Sequence, residues 1–131
     1  MARIRVLLAD DNQGVLADLR GELDKDFEIV GTAENGEDAI RSALGLDPDI
    51  LVLDISMPVL NGLEVASRLR ETHSRTKVLF LTIYEQAEYI SAAFSAGAAG
   101  YVTKRRLASD LVRAIREVVQ GRTFLSPSLE K

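Results

Sequence analysis

The chain has 131 residues, 47% of them hydrophobic and 27% charged, which is the make-up of one folded domain and excludes a disordered segment. A net charge of −4 leaves no basic footprint for nucleic acid, and the absence of cysteine excludes disulfides and thiol chemistry and fits a reducing compartment. Apolar runs such as "ILVL" at Ile50 to Leu53 are too short to cross a bilayer, and acids come too early in "MARIRVLLADD" for a secretory leader, so a soluble cytoplasmic domain is expected.

In chain order, the β-type run "IRVLLA" from Ile4 precedes a helical stripe at Leu16, Leu19 and Leu23. "EIVGTA" from Glu28 is followed by Ala39, Ile40, Ala43 and Leu44, and "DILVLD" from Asp49 by Leu63, Ala66 and Leu69. "KVLFLT" from Lys77 leads to Ile90, Ala93 and Phe94, and "GYVTK" from Gly100 to Leu111, Ile115, Val118 and Val119. Strands separated by helices cannot pair as hairpins, so the sheet is expected to be parallel, covered by helices on both faces through right-handed crossovers. The first, third and fourth runs are almost wholly aliphatic, as strands buried on both faces must be, whereas the second and fifth are mixed with Gly, Thr and Glu. The expected fold is therefore α/β, a doubly wound five-stranded parallel sheet of order 2-1-3-4-5 with strands two and five at its edges, although alternation alone permits other orders. Past Gly121 the helical pattern is lost, so residues 1–121 are expected to form the domain and 122–131 a surface tail or the start of a linker.

The first run ends in two adjacent acids, Asp10 and Asp11. Neighbouring side chains of a regular strand point to opposite faces, so two that share a site must lie at the strand end or just beyond it. Asp54 closes the third run, and strands one and three flank the switch point where open α/β sheets bind ligands. Two such charges ~4 Å apart at an effective dielectric of ~20 repel by roughly 4 kcal/mol, so the trio calls for a cation or for protons. Oxygen ligands without His or Cys suit Mg²⁺, and Mg²⁺ suggests phosphate. Thr82 and Lys104, at the ends of the fourth and fifth runs, supply a hydroxyl and an ammonium for phosphoryl oxygens. Singly, each has a plainer role: Asp10 or Asn12 as a helix cap, Thr82 as a β-former, Lys104 as a solvated charge. Together, at four strand ends of one sheet edge, they read as one site.

With "ADDN", "LVLDISMPVLNGLEV", "FLT" and "AGAAGYVTK" in this order, the chain resembles the receiver domain of two-component response regulators over essentially its whole length, a flavodoxin-like fold. The resemblance implies a switch protein and not an enzyme. Asp54 is then the phosphoryl acceptor, Asp11 a direct Mg²⁺ ligand, Asp10 an acid acting mostly through metal-bound water, and Ser56 a donor of its backbone carbonyl to the metal. Thr82 and Lys104 match the phosphoryl-sensing hydroxyl and ammonium, with Thr82 and Tyr101 forming the switch read out around the fourth and fifth helices. A strand tyrosine exposed on an edge face is the other reading of Tyr101. Pro58, Asn61 and Gly62 match the loop after the acceptor strand. The implied partners are a sensor histidine kinase and, on phosphorylation, a second copy of the chain.

Some positions depart from the common receiver pattern. Ile83 stands where many receivers have a small residue, with Tyr84 next, so slow loss of phosphate is expected. Arg105 and Arg106 follow Lys104 where a proline or acid is frequent, and read as solvated charge. His73 has no companion ligand in the pattern and reads as a surface residue. "REVVQGRTFLSPSL" resembles the junction in LuxR- or NarL-type regulators, where a helix-turn-helix output domain follows. The segment is thus expected to be an excised receiver that does not itself bind DNA, its negative charge disfavouring phosphate contact. Two rivals differ in class. A haloacid dehalogenase-type phosphatase needs a second acid two residues after the nucleophile, where Ser56 stands. A flavodoxin-like nucleotide binder needs a Gly-rich or Ser/Thr-rich phosphate loop after the first strand, where Asp10 and Asp11 repel the anion. An inactive receiver scaffold is disfavoured by the complete acceptor set.

Overall fold

The computed structural model describes residues 3–130. The elements run β1 (Arg5–Ala9), α1 (Gln13–Leu23), β2 (Glu28–Ala33), α2 (Gly36–Leu46), β3 (Ile50–Leu53), α3 (Gly62–Glu71), β4 (Lys77–Thr82), α4 (Ala87–Ser95), β5 (Gly100–Thr103), α5 (Leu107–Val119) and β6 (Phe124–Leu125). All neighbouring strands pair parallel, in the order β2-β1-β3-β4-β5-β6.

Strand alternation builds two cores from the same runs. Val6 and Leu8 of β1, Ile50 and Val52 of β3, and Leu79 and Leu81 of β4 face α1 and α5, meeting Leu16, Leu19, Leu23, Leu111, Ile115 and Val118. Leu7, Leu51, Leu53, Val78 and Phe80 face the other way, against Ala39 and Ala43 of α2, Val65, Ala66 and Leu69 of α3, and Ala93 of α4. Leu44, expected on the α2 stripe, is 52% exposed, because it follows the buried Ala43 and so lies about 100° round the helix from it. Asparagine starts three of the helices: Asn12 accepts from Val15 N, Asn35 from Asp38 N, and Asn61 forms a capping box with Glu64.

The first five strands have the expected order; the sixth does not belong to the expectation. Phe124 N donates to Ala99 O and Ser126 N to Tyr101 O, both at 3.0 Å, so part of the segment read as a tail extends the sheet. Phe124 is buried under the Arg113 guanidinium, and the fully buried Ser126 Oγ accepts from Thr103 N at 3.3 Å. A two-residue strand is too short for alternation to reveal. Its consequence is that β5 is an interior strand with all four residues buried, not an edge. Lys131, the last residue of that segment, lies outside the described residues.

Candidate functional site

β1 ends at Ala9, so Asp10 and Asp11 lie just past the pleat, and they differ in burial. Asp10 is 2% exposed, its Oδ1 accepting from Asn12 N at 2.9 Å, while Asp11 is exposed. Asn12, not Asp10, caps α1. Asp54 follows β3 and is equally inward, with Oδ1 3.4 Å from Ser56 N. Gly62 lets α3 start directly against this acceptor: a Cβ there would stand 2.2 Å from Asp54 O, and Gly62 N donates to Ile55 O at 2.7 Å. Between Asp54 and α3, Leu60 N donates back to Pro58 O across Val59, a γ-turn centre with φ +72°. A β-branched residue in that region stores of order 1–3 kcal/mol, and Val59 is exposed.

Lys104 draws the two buried acids together. Its Nζ lies 2.8 Å from Asp10 Oδ2 and 2.9 Å from Asp54 Oδ2. Burial pushes the ammonium down, but its bonds to Asp10 and Asp54 and their charges outweigh that, so Lys104 sits above the ordinary lysine value. The crowding of acids inferred from the sequence is thus partly relieved by the protein's own cation. Of the three acids grouped by the sequence, Asp10 and Asp54 share Lys104, and Asp11 is exposed. Among the described residues no three His, Asp or Glu side chains stand close enough to form a metal cage, and Asp11 and Ser56 lie exposed at the rim.

Thr82 is fully buried at the end of β4, its Oγ1 a long 3.5 Å from Tyr84 N. Tyr101 is fully buried too, against Phe80, and its hydroxyl donates to Tyr84 O at 2.7 Å; the edge-exposed reading is excluded. Burial, then the charges of Asp54 and Glu85, push its phenol up. Tyr84 stacks on Tyr89 with centroids 4.3 Å apart, and Ile83 is 67% exposed. Arg105, read as solvated, is exposed and also bound to Glu85, while Arg106 Nε reaches no closer than 3.9 Å to Asp110. Glu85 was not foreseen; its cue was an acid shortly after Thr82 facing a base directly after Lys104. His73 is exposed.

Among the described residues no helix is long and apolar enough to cross a membrane. The profile of the response regulator receiver domain matches residues 6–116. The chain is 39% identical over 128 residues to the uncharacterized transcriptional regulatory protein YvfU of Bacillus subtilis, covering 96% of this chain and 64% of that one. It is 36% identical over 133 residues to the response regulator GacA of Pseudomonas viridiflava, covering 96% and 60%. A LuxR-family two-component response regulator from Aurantimonas sp. SI85-9A1 superposes with a TM-score of 0.92 at 30% identity, covering 98% of this chain and 93% of that one. The signal receiver domain of NarL from Mycobacterium tuberculosis gives 0.90 at 27%, covering 93% and 100%. The chain spans 60–64% of the length of these two curated relatives. The fold, the acid-and-lysine edge and these matches agree: the chain belongs to the receiver domains of response regulators, among relatives that include transcriptional regulators and solved structures of the LuxR and NarL type.

Proposed function

We propose that Asp54 accepts a phosphoryl group from the phosphohistidine of a sensor kinase, and that the charged product resets the surface around α4 and β5 for a transcriptional output. The observation that carries this reading is the single ammonium shared by two buried carboxylates, Lys104 Nζ at 2.8 and 2.9 Å from Asp10 and Asp54. A carboxylate oxygen of Asp54 attacks phosphorus in line with the P–N bond, which breaks as the imidazole nitrogen keeps the pair and gains a proton. Lys104, already beside Asp54, supplies an ammonium to a phosphoryl oxygen, and the buried Thr82 hydroxyl supplies a second donor. Tyr101, inward and bonded to the loop that follows Thr82, carries the change toward α4. Water later hydrolyses the acyl phosphate.

Asp10, Asp11, Asp54 and the Ser56 carbonyl would hold Mg²⁺. The fit rests on charge and donor type: two buried carboxylates share one ammonium, a third carboxylate, Asp11, stands next in the chain, and every donor is a hard oxygen. Bound there, the ion supplies charge neutralisation for the phosphoryl oxygens. The partners are a sensor histidine kinase and, after phosphorylation, a second copy of the chain. The test is intact mass after incubation with acetyl phosphate or phosphoramidate and Mg²⁺, beside Asp54→Asn. One added phosphoryl mass in the wild type alone is expected; no added mass, or the same gain in the variant, overturns the assignment.

A further inference from the structure

We infer that Glu85, pinned by Arg105 and Thr103, is a positioning residue that pre-sets the phosphoacceptor site by locking the β4–α4 loop onto β5 with Tyr101 inward. The inference rests on the reading of Asp54 as acceptor. Glu85 Oε2 accepts from Thr103 Oγ1 at 2.7 Å and from Arg105 Nε at 3.0 Å, and Oε1 accepts from Arg105 Nη2 at 3.1 Å. Three donors therefore converge on one carboxylate, two of them in the parallel fork that guanidinium and carboxylate share. Thr103 and Arg105 flank Lys104 in the chain, so the clamp straddles the residue that holds Asp10 and Asp54.

An isolated pair with Arg105 60% and Glu85 36% exposed would contribute little by itself. Thr103 changes that balance. It is fully buried, and its hydroxyl donates to Glu85, so release of the loop removes the acceptor of a buried donor. Arg105, then Thr103, holds the Glu85 carboxyl below the usual glutamate range, as bonds made to the charged form must. The neighbouring residue is tied as well, because Tyr84 O accepts from the Tyr101 hydroxyl at 2.7 Å. Consecutive loop residues are thus fastened to β5 and the turn after it, directly downstream of Thr82.

β5 is a fixed anchor for both ties. On its other edge Ser126 N donates to Tyr101 O and Ser126 Oγ accepts from Thr103 N, so the two β5 residues whose side chains hold the loop have their backbones held by the segment after α5. The loop is the part left to move, and the clamp keeps it where Tyr101 remains inward. A phosphoryl group arriving at Asp54 then meets a site in which that arrangement is already populated, and affinity is not reduced by the fraction of molecules in another state.

Glu85→Gln, Arg105→Ala and the charge-exchanged pair Glu85→Arg/Arg105→Glu test this, with thermal melts as the check on folding. The first readout is calorimetric affinity for beryllofluoride in the presence of Mg²⁺. Glu85→Gln and Arg105→Ala are expected to bind about fivefold more weakly, with partial recovery in the exchanged pair. The second readout needs neither metal nor fluoride: the ¹³C-tyrosine NMR signals of Tyr101 are expected to shift in both single variants and to return toward wild type in the exchanged pair. Unchanged affinity together with unchanged Tyr101 signals overturns the clamp. A wild type that fails to take up beryllofluoride overturns the acceptor reading instead, and the Tyr101 signals still decide whether the clamp sets the loop.

Discussion

The two ends of the sheet use the same residue types to opposite effect. At the amino edge Asp49 accepts from Arg5 N at 2.8 Å and Arg75 Nη1 at 3.0 Å, while Arg75 Nε also reaches Asp47 Oδ2 at 3.1 Å. Arg5 adds bonds to the carbonyls of Leu46 and Asp47, so two acids meet two bases and the end of α2 is stapled to β1 and to the segment before β4. At the carboxyl edge Asp10 and Asp54 share Lys104, and Asp11 beside them is exposed with no ion pair among the described residues. Balanced charge closes a structure, and surplus charge leaves a site open to a ligand. The difference lies in pairing, not in the number of acids.

The largest effect expected at the carboxyl edge comes from crowding the acceptor. Gly62→Ala places a methyl 2.2 Å from Asp54 O and 2.9 Å from Ile55 Cα, both backbone, so α3 must shift away from the end of β3. Denaturant melts should show a loss of about 3 kcal/mol, and phosphoryl uptake should fall with it. An unchanged midpoint would mean that α3 is not seated on the acceptor.

The next effect belongs to the balanced edge. Asp49 is opposed by burial, yet the backbone N–H of Arg5 and the guanidinium of Arg75 outweigh that and hold its carboxyl below the ordinary range. A depressed folded value contributes stability that is present above the unfolded value and lost as pH falls through the folded one. Asp49→Asn is expected to cost about 2 kcal/mol at neutral pH, to converge with wild type in acid, and to leave phosphoryl uptake intact. Melts across pH check this, and a gap that persists in acid would remove charge from the explanation.

Much of this contrast was legible in the sequence, and the failures have physical causes. The aliphatic runs Val6 to Ala9, Ile50 to Leu53 and Val78 to Leu81 declare doubly covered strands, because both alternating faces must be apolar. β6 could not be read, since Phe124 and Leu125 are too few to show a period. Asp10, Asp54, Thr82 and Lys104 were found by their strand ends. Lys104 as a counter-ion was missed because it lies 50 residues from Asp54, and charge balance at a sheet edge is a property of the fold. The Glu85–Arg105 pair spans 20 residues and escaped notice for the same reason, Arg105 being read as solvated charge and Glu85 not at all. The inward setting of Tyr101 rests on Phe80 and Tyr84 O, contacts made across the fold and so not visible in its own strand.

The smallest effect concerns phosphate lifetime. Tyr84 is committed to Tyr89 and Tyr101, whereas Ile83 stands exposed beside Thr82, so shielding of Asp54 from water is expected to depend more on Ile83. Ile83→Ala should lose its phosphoryl group a few-fold faster than wild type, with Tyr84→Ala changing less, followed by intact mass over time. The reverse ranking would return the shielding to Tyr84.

The surplus charge itself is tested most directly by thermal midpoints of the wild type, Asp49→Asn and Asp54→Asn, each with and without Mg²⁺ at about ten times its dissociation constant. Binding of that strength raises the midpoint by about 5 °C in the wild type and equally in Asp49→Asn. Asp54→Asn should start no lower than wild type, having one acid fewer to crowd, and gain almost nothing from the ion. An equal Mg²⁺ gain in Asp54→Asn, or none in the wild type, contradicts the account.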